Sequence, residues 1–366
     1  MSLIKILTLT PLHIGSGNEY QPDFEYLYFE QERKVAVVDA EKVLNILGAD
    51  NLHQWVACID NKQPLMPLLR SRKNGMLAED VAMRPIPAKH TPTRTIREQL
   101  HSGNGSALLP GTSLKGAIRT ALWAELMLDN TKLAKDKRNL GNEDRRGGFR
   151  WSDQPLSKLF FGNDPNHDIF RLLQVGDAEF ASTAVYQTDV INKIHNNTWD
   201  LKREVRQCVE AIPAGATSTA EIRFNELLSQ RAKSQFNRNA AKLQLEQLFP
   251  LINRHTKRLV EDEADYWEDT AGNPEPLEDF VEEMNNIVDA IEACQPSECI
   301  LRTGWGSGFR SMTGDWHGAM TDDDYERLLK SVRPRHSVDL IFPKSMRFVK
   351  GGMPMGFVKL TLQSQQ

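Results

Sequence analysis

The chain has 366 residues, 40% of them hydrophobic and 26% charged, with a formal net charge of −4, which suits two ordinary domains or one large domain with insertions around a sizeable core. No apolar run approaches the roughly 20 residues that span a bilayer, and the start of the chain lacks the pattern of a signal peptide, so a cytoplasmic protein without a membrane partner is expected. The charge is uneven: residues 261–300 hold 14 acidic side chains and no Lys or Arg, which leaves +10 on the rest, so a polyanion can meet one surface.

Residues 3–10 read as a first buried strand carrying Leu3, Ile4, Ile6, Leu7 and Leu9. In the loop "LHIGSGN" that follows, Gly15 and Gly17 bracket Ser16, a turn whose N–H groups can cradle a phosphate. It lacks the Gly-Lys-Ser/Thr of a P-loop, and an ordinary loop is the alternative. His13 could serve as a general acid or base, or be structural. "FEYLYFE" and "KVAVVDA" flank a polar turn as a hairpin, and Asp39 can cap a helix that Gly48 stops. This start fits an α+β sheet domain. Residues 60–107 carry prolines and little periodicity and read as loops with short helices.

"LLPGTSLKGAIRTALWAELML" is the clearest helix of this half, with Leu114, Ile118, Ala121 and Leu122 on one face. Thr112 or Ser113 is expected to cap it. Lys115 and Arg119 sit one turn apart near a dipole end with free N–H groups, which together make a phosphate-binding helix end; a solvated surface helix is the alternative. Gly116 weakens the helix, which suggests a close approach there. Residues 129–150 read as a mobile basic loop. "FRLLQVGDAEF", "STAVYQTDVI" and "STAEIRF" read as strands, and residues 225–293 as helical. A division into 1–221 and 222–366 is the natural one, with the last strands able to rejoin the first sheet.

In "GWGSGFRSMTG", Gly304, Gly306 and Gly308 alternate with Trp305, Ser307 and Phe309 between Arg302 and Arg310. A second glycine–basic cluster, "KSMRFVKGGMPMG", carries Lys344, Arg347, Lys350, Gly351, Gly352 and Gly356. Cations for phosphates, glycines for close approach and an aromatic for a base suit single-stranded RNA. Trp305 could stack on a base or anchor its loop to the core. "MRFVK" and "PMGFVKLTL" read as strands.

No GxSxG, HExxH or zinc spacing occurs, and Cys58, Cys208, Cys294 and Cys299 read as reduced thiols. Neither metal nor cofactor is expected. Asp23, Glu25, Asp177 and Glu179 lie near strand ends with no sign that any pair converges. His13, His317 and His336 could serve metal-free RNA cleavage, but nothing in the sequence brings them together. A nucleotide-binding metabolic enzyme is disfavoured, because the P-loop and the Rossmann glycine pattern are both missing.

Taken in order, "TPLHIGSG", "LPGTSLKGAIRTAL", "LFFGNDPNHDIFRLLQVGDAEF", "EAIPAGATSTAEIRF" and "RTGWGSGFRSMTG" resemble the RAMP superfamily of CRISPR-associated proteins. Within it, the "GAIRTAL" helix and the late "GWGSGF" resemble the subunit of type III-A (Csm) effector complexes that caps the backbone filament at the 3′ side of the CRISPR RNA (crRNA). The resemblance implies a ferredoxin-like (RRM-like) core with inserted helical regions. It implies a noncatalytic subunit that binds crRNA, stacks on the backbone RAMP subunit, joins other effector subunits, meets target RNA indirectly, and supports crRNA 3′ trimming by recruited host nucleases. His13, Gly15, Ser16, Gly17, Ser113, Lys115, Arg119, Arg302, Gly304, Trp305, Gly306, Gly308, Arg310, Arg347 and Lys350 are the expected RNA-binding residues. A metal-independent RAMP endoribonuclease acting on precursor crRNA is the alternative. The acidic stretch 261–300 matches no motif and reads as a solvated face or a partner surface.

Overall fold

A computed structural model of the chain describes residues 2–143, 148–193, 199–268, 275–313, 315, 317–332 and 345–363. Six elements form its central unit: β1 (Ser2–Thr8), α1 (Gly111–Leu128), β2 (Leu173–Val175), β3 (Thr217–Phe224), α2 (Leu245–Glu268) and β4 (Phe357–Leu362). Their spatial order is β2-β3-β1-β4, every neighbour antiparallel, and the strand Glu298–Arg302 extends the sheet beyond β4. This is the ferredoxin-like βαββαβ arrangement, with long insertions between its elements.

Period-2 alternation explains β1: Ile4 and Ile6 are fully buried while Lys5 is exposed. Ile4 and Ile6 share a core with Ala220 and Ile222 of β3, Val358 and Leu360 of β4, Leu114, Ile118 and Leu122 of α1, and Leu248 and Ile252 of α2. Each large side chain buried there contributes about 1.5–3 kcal/mol. The last strand therefore rejoins the first sheet, and position 221 falls inside β3.

A second sheet runs in the order Trp199–Leu201, Ala184–Lys193, Gln207–Ala211, Ile96–Gln99, Gly15–Tyr20. Ser345–Val349 pairs with Ala184–Lys193 as well. A third sheet joins the expected hairpin, Tyr26–Phe29 and Lys34–Val38, to Ala82–Pro87. Asp39 caps the helix Ala40–Leu47 through Glu41 N and Lys42 N, and Gly48 ends it.

Three local expectations are corrected. Residues 60–107 hold a helix, Leu65–Arg72, but also the strands Ala82–Pro87, Ile96–Gln99 and Ala107–Leu109. Pro85 and Pro87 hide the first of these from the sequence; it is an edge strand, where a missing N–H is tolerated. Within 129–150, read as a loop, the described residues form the helix Thr131–Ala134 and the paired strands Gly141–Glu143 and Phe149–Trp151, with Ala134 and Leu140 buried in the main core. The start of α1 is not capped by Thr112 or Ser113, which already lie within its first turn. Pro110 sets the entry, and Asp177 Oδ1 accepts from Gly111 N at 2.7 Å. One of the strand-end carboxylates is thus the cap.

Candidate nucleic-acid interface

The "HIGSG" stretch is held from below. His13 is 1% exposed, and its Nδ1 lies 2.6 Å from Glu210 O. Burial pushes its pKa down to about 4, with the Glu210 carbonyl acting in the opposite sense. Glu98 then gathers the turn: Ser16 Oγ donates to it at 2.8 Å, Asn18 Nδ2 at 2.9 Å, and Tyr20 OH donates as well. Gly15 and Gly17 are left exposed.

The glycine loop docks onto this turn. Trp305 N donates to His13 O at 2.9 Å, and the indole meets the His13 ring edge-on at 5.6 Å. Thr303 N donates to Gly356 O at 2.8 Å, tying in the second glycine cluster. Thr303 Oγ1 donates to Ser113 O at 3.4 Å, which brings the first turn of α1 alongside. Stretches near residues 13, 113 and 356, far apart in sequence, thus meet at the start of the glycine loop.

Strand register explains how the arginines reach Trp305. Arg97 is opposite Val209, Val209 is opposite Tyr186, and on the strand of Tyr186, past Thr188, Val190 is opposite Arg347. Paired residues and residues two apart share a face, so Arg97 and Arg347 rise from the same face of the second sheet. Trp305 packs over that face with Tyr186, Val209 and Val349. The Arg97 guanidinium carbon lies 5.3 Å from the indole centroid and that of Arg347 lies 4.6 Å from it.

Five other arginines of the region have settled partners. Arg302, with a side chain 2% exposed, donates from Nη1 to Glu263 at 2.7 Å and from Nε to Met355 O. Arg310 is held by Asp315 and Asp262. Arg119 pairs with Asp168 at 2.9 Å and lies 4.0 Å over the Phe161 ring. Arg84 pairs with the fully buried Glu210, and Arg206 with Asp189. These five belong to the fold's internal charge pairing. Lys115 has no carboxylate within ion-pair distance among the described residues, and burial with Arg119 nearby pushes its pKa down. Gly116 beside it faces open space. Lys350 is exposed.

The expected site residues therefore divide. His13, Gly15, Ser113, Gly304, Trp305 and Arg347 come together; Ser16 and Gly17 lie on the same turn. Gly306 and Gly308 follow on the loop, whereas Arg119, Arg302 and Arg310 are occupied by carboxylates. Arg97 escaped the sequence reading because it lies in the stretch taken for loops. Of the three candidate histidines, His13 packs against Trp305, and His317 rests against the Phe309 and Tyr325 rings, where burial pushes its pKa down to about 4. His336 and Lys344 lie outside the described residues. All four cysteines are free. Among the described residues no His, Cys, Asp or Glu cluster could hold a metal ion, and no helix is long and apolar enough to cross a membrane.

Comparison with known proteins gives four concordant matches. The RAMP superfamily model matches residues 5–269. The CRISPR system Cms protein Csm5 of Methanocaldococcus jannaschii is 24% identical over 330 residues, 85% of this chain and 72% of that protein. A chain from the cryo-EM structure of a type III-A Csm–crRNA–target RNA ternary complex superposes with a TM-score of 0.67 at 22% identity, covering 99% of this chain and all of that one. The crystal structure of T. onnurineus Csm5 superposes at 0.64 and 20% identity, covering 97% of this chain and 99% of that one.

Proposed function

The chain belongs to the RAMP superfamily, and on that premise we propose that it is a noncatalytic, crRNA-binding structural subunit of a type III-A (Csm) effector complex. In this reading it caps the backbone filament near the crRNA 3′ end and stacks on the backbone RAMP subunit. It supports crRNA maturation by host nucleases that trim the 3′ end, and it meets target RNA only through the guide. The observation that carries the reading is the meeting of the "HIGSG" turn, the first turn of α1 and the glycine loop around Trp305, beside Arg97 and Arg347. Exposed glycines and cations that are not locked in buried ion pairs are what a phosphate backbone needs. The similarity to Csm5 proteins over most of the chain supports the same assignment.

Co-expression with the other effector subunits, followed by sequencing of the bound RNA's 3′ ends, tests it. The chain is expected to enter the complex and its loss to alter guide length. A chain that stays out of the complex and leaves guide length and loading unchanged removes the reading. Metal-free cleavage of precursor crRNA, abolished by substituting His13 or His317, would replace it with the endoribonuclease.

A further inference from the structure

We propose that Arg97 and Arg347, braced against the Trp305 indole, form a two-pronged clamp for a phosphate of single-stranded RNA, with Trp305 a positioning residue rather than a base-stacking platform. The proposal rests on the RNA-binding reading above and names the groups that contact the strand.

Three observations carry it. The first is convergence. The two arginines start from strands three places apart in the second sheet, roughly 14 Å at about 4.8 Å per strand, yet both guanidinium groups reach the same ring. Two like charges held against one ring repel each other, so an anion that reaches both is stabilised by both. The second is charge pairing. Arg84, Arg119, Arg206, Arg302 and Arg310 each have a carboxylate partner within the fold. Arg347 has none within ion-pair distance among the described residues; its Nη1 donates to Thr188 Oγ1 at 3.0 Å. Among the described residues Arg97 has only Glu19 at 3.3 Å, on the rim, and its buried Nε is not aligned to donate to it. The third is the state of the indole. His13 meets it edge-on and two guanidinium groups lie against it, so its partners come from within the chain. A guanidinium fork matches a phosphate in two directions at once, which a lysine cannot do.

The test is fluorescence anisotropy of the full chain with labelled oligouridine across a salt series. Each phosphate contact on a single strand contributes about 0.7 to the fall of log K with log salt. Because the two arginines share one phosphate, the double variant is expected to lower that slope by about 0.7, and Arg97→Gln and Arg347→Gln each by no more than that. Trp305→Phe keeps an aromatic brace and is expected to keep the slope, and a base-free spacer within the oligonucleotide to leave the arginine effect intact. Circular dichroism confirms that each variant is folded. If the wild type binds RNA and the double variant matches its slope and affinity, the clamp is wrong while the RNA-binding reading survives. If the spacer abolishes binding and the arginine variants do not, a base stacks on Trp305 and the clamp is wrong. A wild-type chain with no salt-dependent affinity for RNA overturns the underlying reading together with the clamp.

Discussion

Gly304→Ala is expected to cost much more stability than Gly308→Ala, although the two glycines share one backbone conformation. Their φ angles are +82° and +87°, in the left-handed region. An L side chain there costs about 1–2 kcal/mol. At Gly308 nothing lies within 4 Å of where a Cβ would stand, so that is the whole cost. At Gly304 the Cβ would stand 2.7 Å from His13 O and 2.9 Å from Leu12 Cδ1. His13 cannot retreat, because its ring is buried against the Glu210 carbonyl and its own carbonyl accepts from Trp305 N. Relieving such a clash adds about 1–3 kcal/mol, for a total of about 2–5. Equilibrium urea unfolding of the full chain reads this as a larger fall in midpoint for Gly304→Ala at unchanged m-value. The displaced indole also releases its two arginines, so the salt dependence of RNA binding should fall for Gly304→Ala only. Equal midpoints for the two variants, or a milder effect at Gly304, would refute the reasoning.

Arg302→Gln should destabilise the chain by about 3–5 kcal/mol by leaving Glu263 unpaired, and should leave the RNA salt slope unchanged; a lower slope would return Arg302 to the RNA path. Lys115→Glu should do the opposite, weakening RNA binding across sequences with little change in urea midpoint. His13, His255 and His317 are each held neutral down to about pH 4 by burial, whereas the unfolded chain takes up their protons near 6.5. Their folded pKa values are depressed, so stability is intact above about pH 6.5 and falls progressively towards pH 4, by up to about 3 kcal/mol per histidine. Urea midpoints measured across that window should drop steeply, and His13→Gln should flatten part of the drop; a flat wild-type profile would contradict it.

What could be seen in the sequence is what local periodicity encodes. The apolar run with Leu3, Ile4, Ile6, Leu7 and Leu9 marks β1, although Leu3 is exposed; the hairpin and its Asp39 cap are plain, and the Leu114–Ile118–Leu122 stripe marks α1. Partners remote in sequence were not visible. Asp177 caps α1 from 66 residues away, and no local pattern announces it. Arg97 is invisible for the same reason. Its role follows from the register 97–209–186 and 190–347, four strands of one sheet contributed by segments spread across the chain. The inserted strand Gln207–Ala211 was overlooked too, although it supplies both Glu210 and the link in that register.

The same limit governs charge. In the sequence, Arg302, Arg310 and Arg347 look alike, each beside glycines in a basic stretch, and the acidic segment 261–300 looks like a block that faces away. The fold separates them. On the helix Glu275–Glu292, Phe280, Met284, Ile287 and Ile291 turn inward while Glu278, Glu282, Asp289 and Glu292 are exposed, as expected of a solvated face. At the end of α2, however, Asp262 and Glu263 reach Arg310 and Arg302. The acidic segment thus neutralises the two arginines flanking the glycine loop, whereas Arg347 has no carboxylate within ion-pair distance among the described residues. An ion already paired inside the fold must lose that partner before it can take a phosphate, at a cost set by its burial. Arg347 and Arg97 have no such exchange to make beyond the rim contact with Glu19. The cations that recognise an anion are therefore chosen by which carboxylates the topology withholds, a property that neither the net charge of −4 nor the basic stretches reveal.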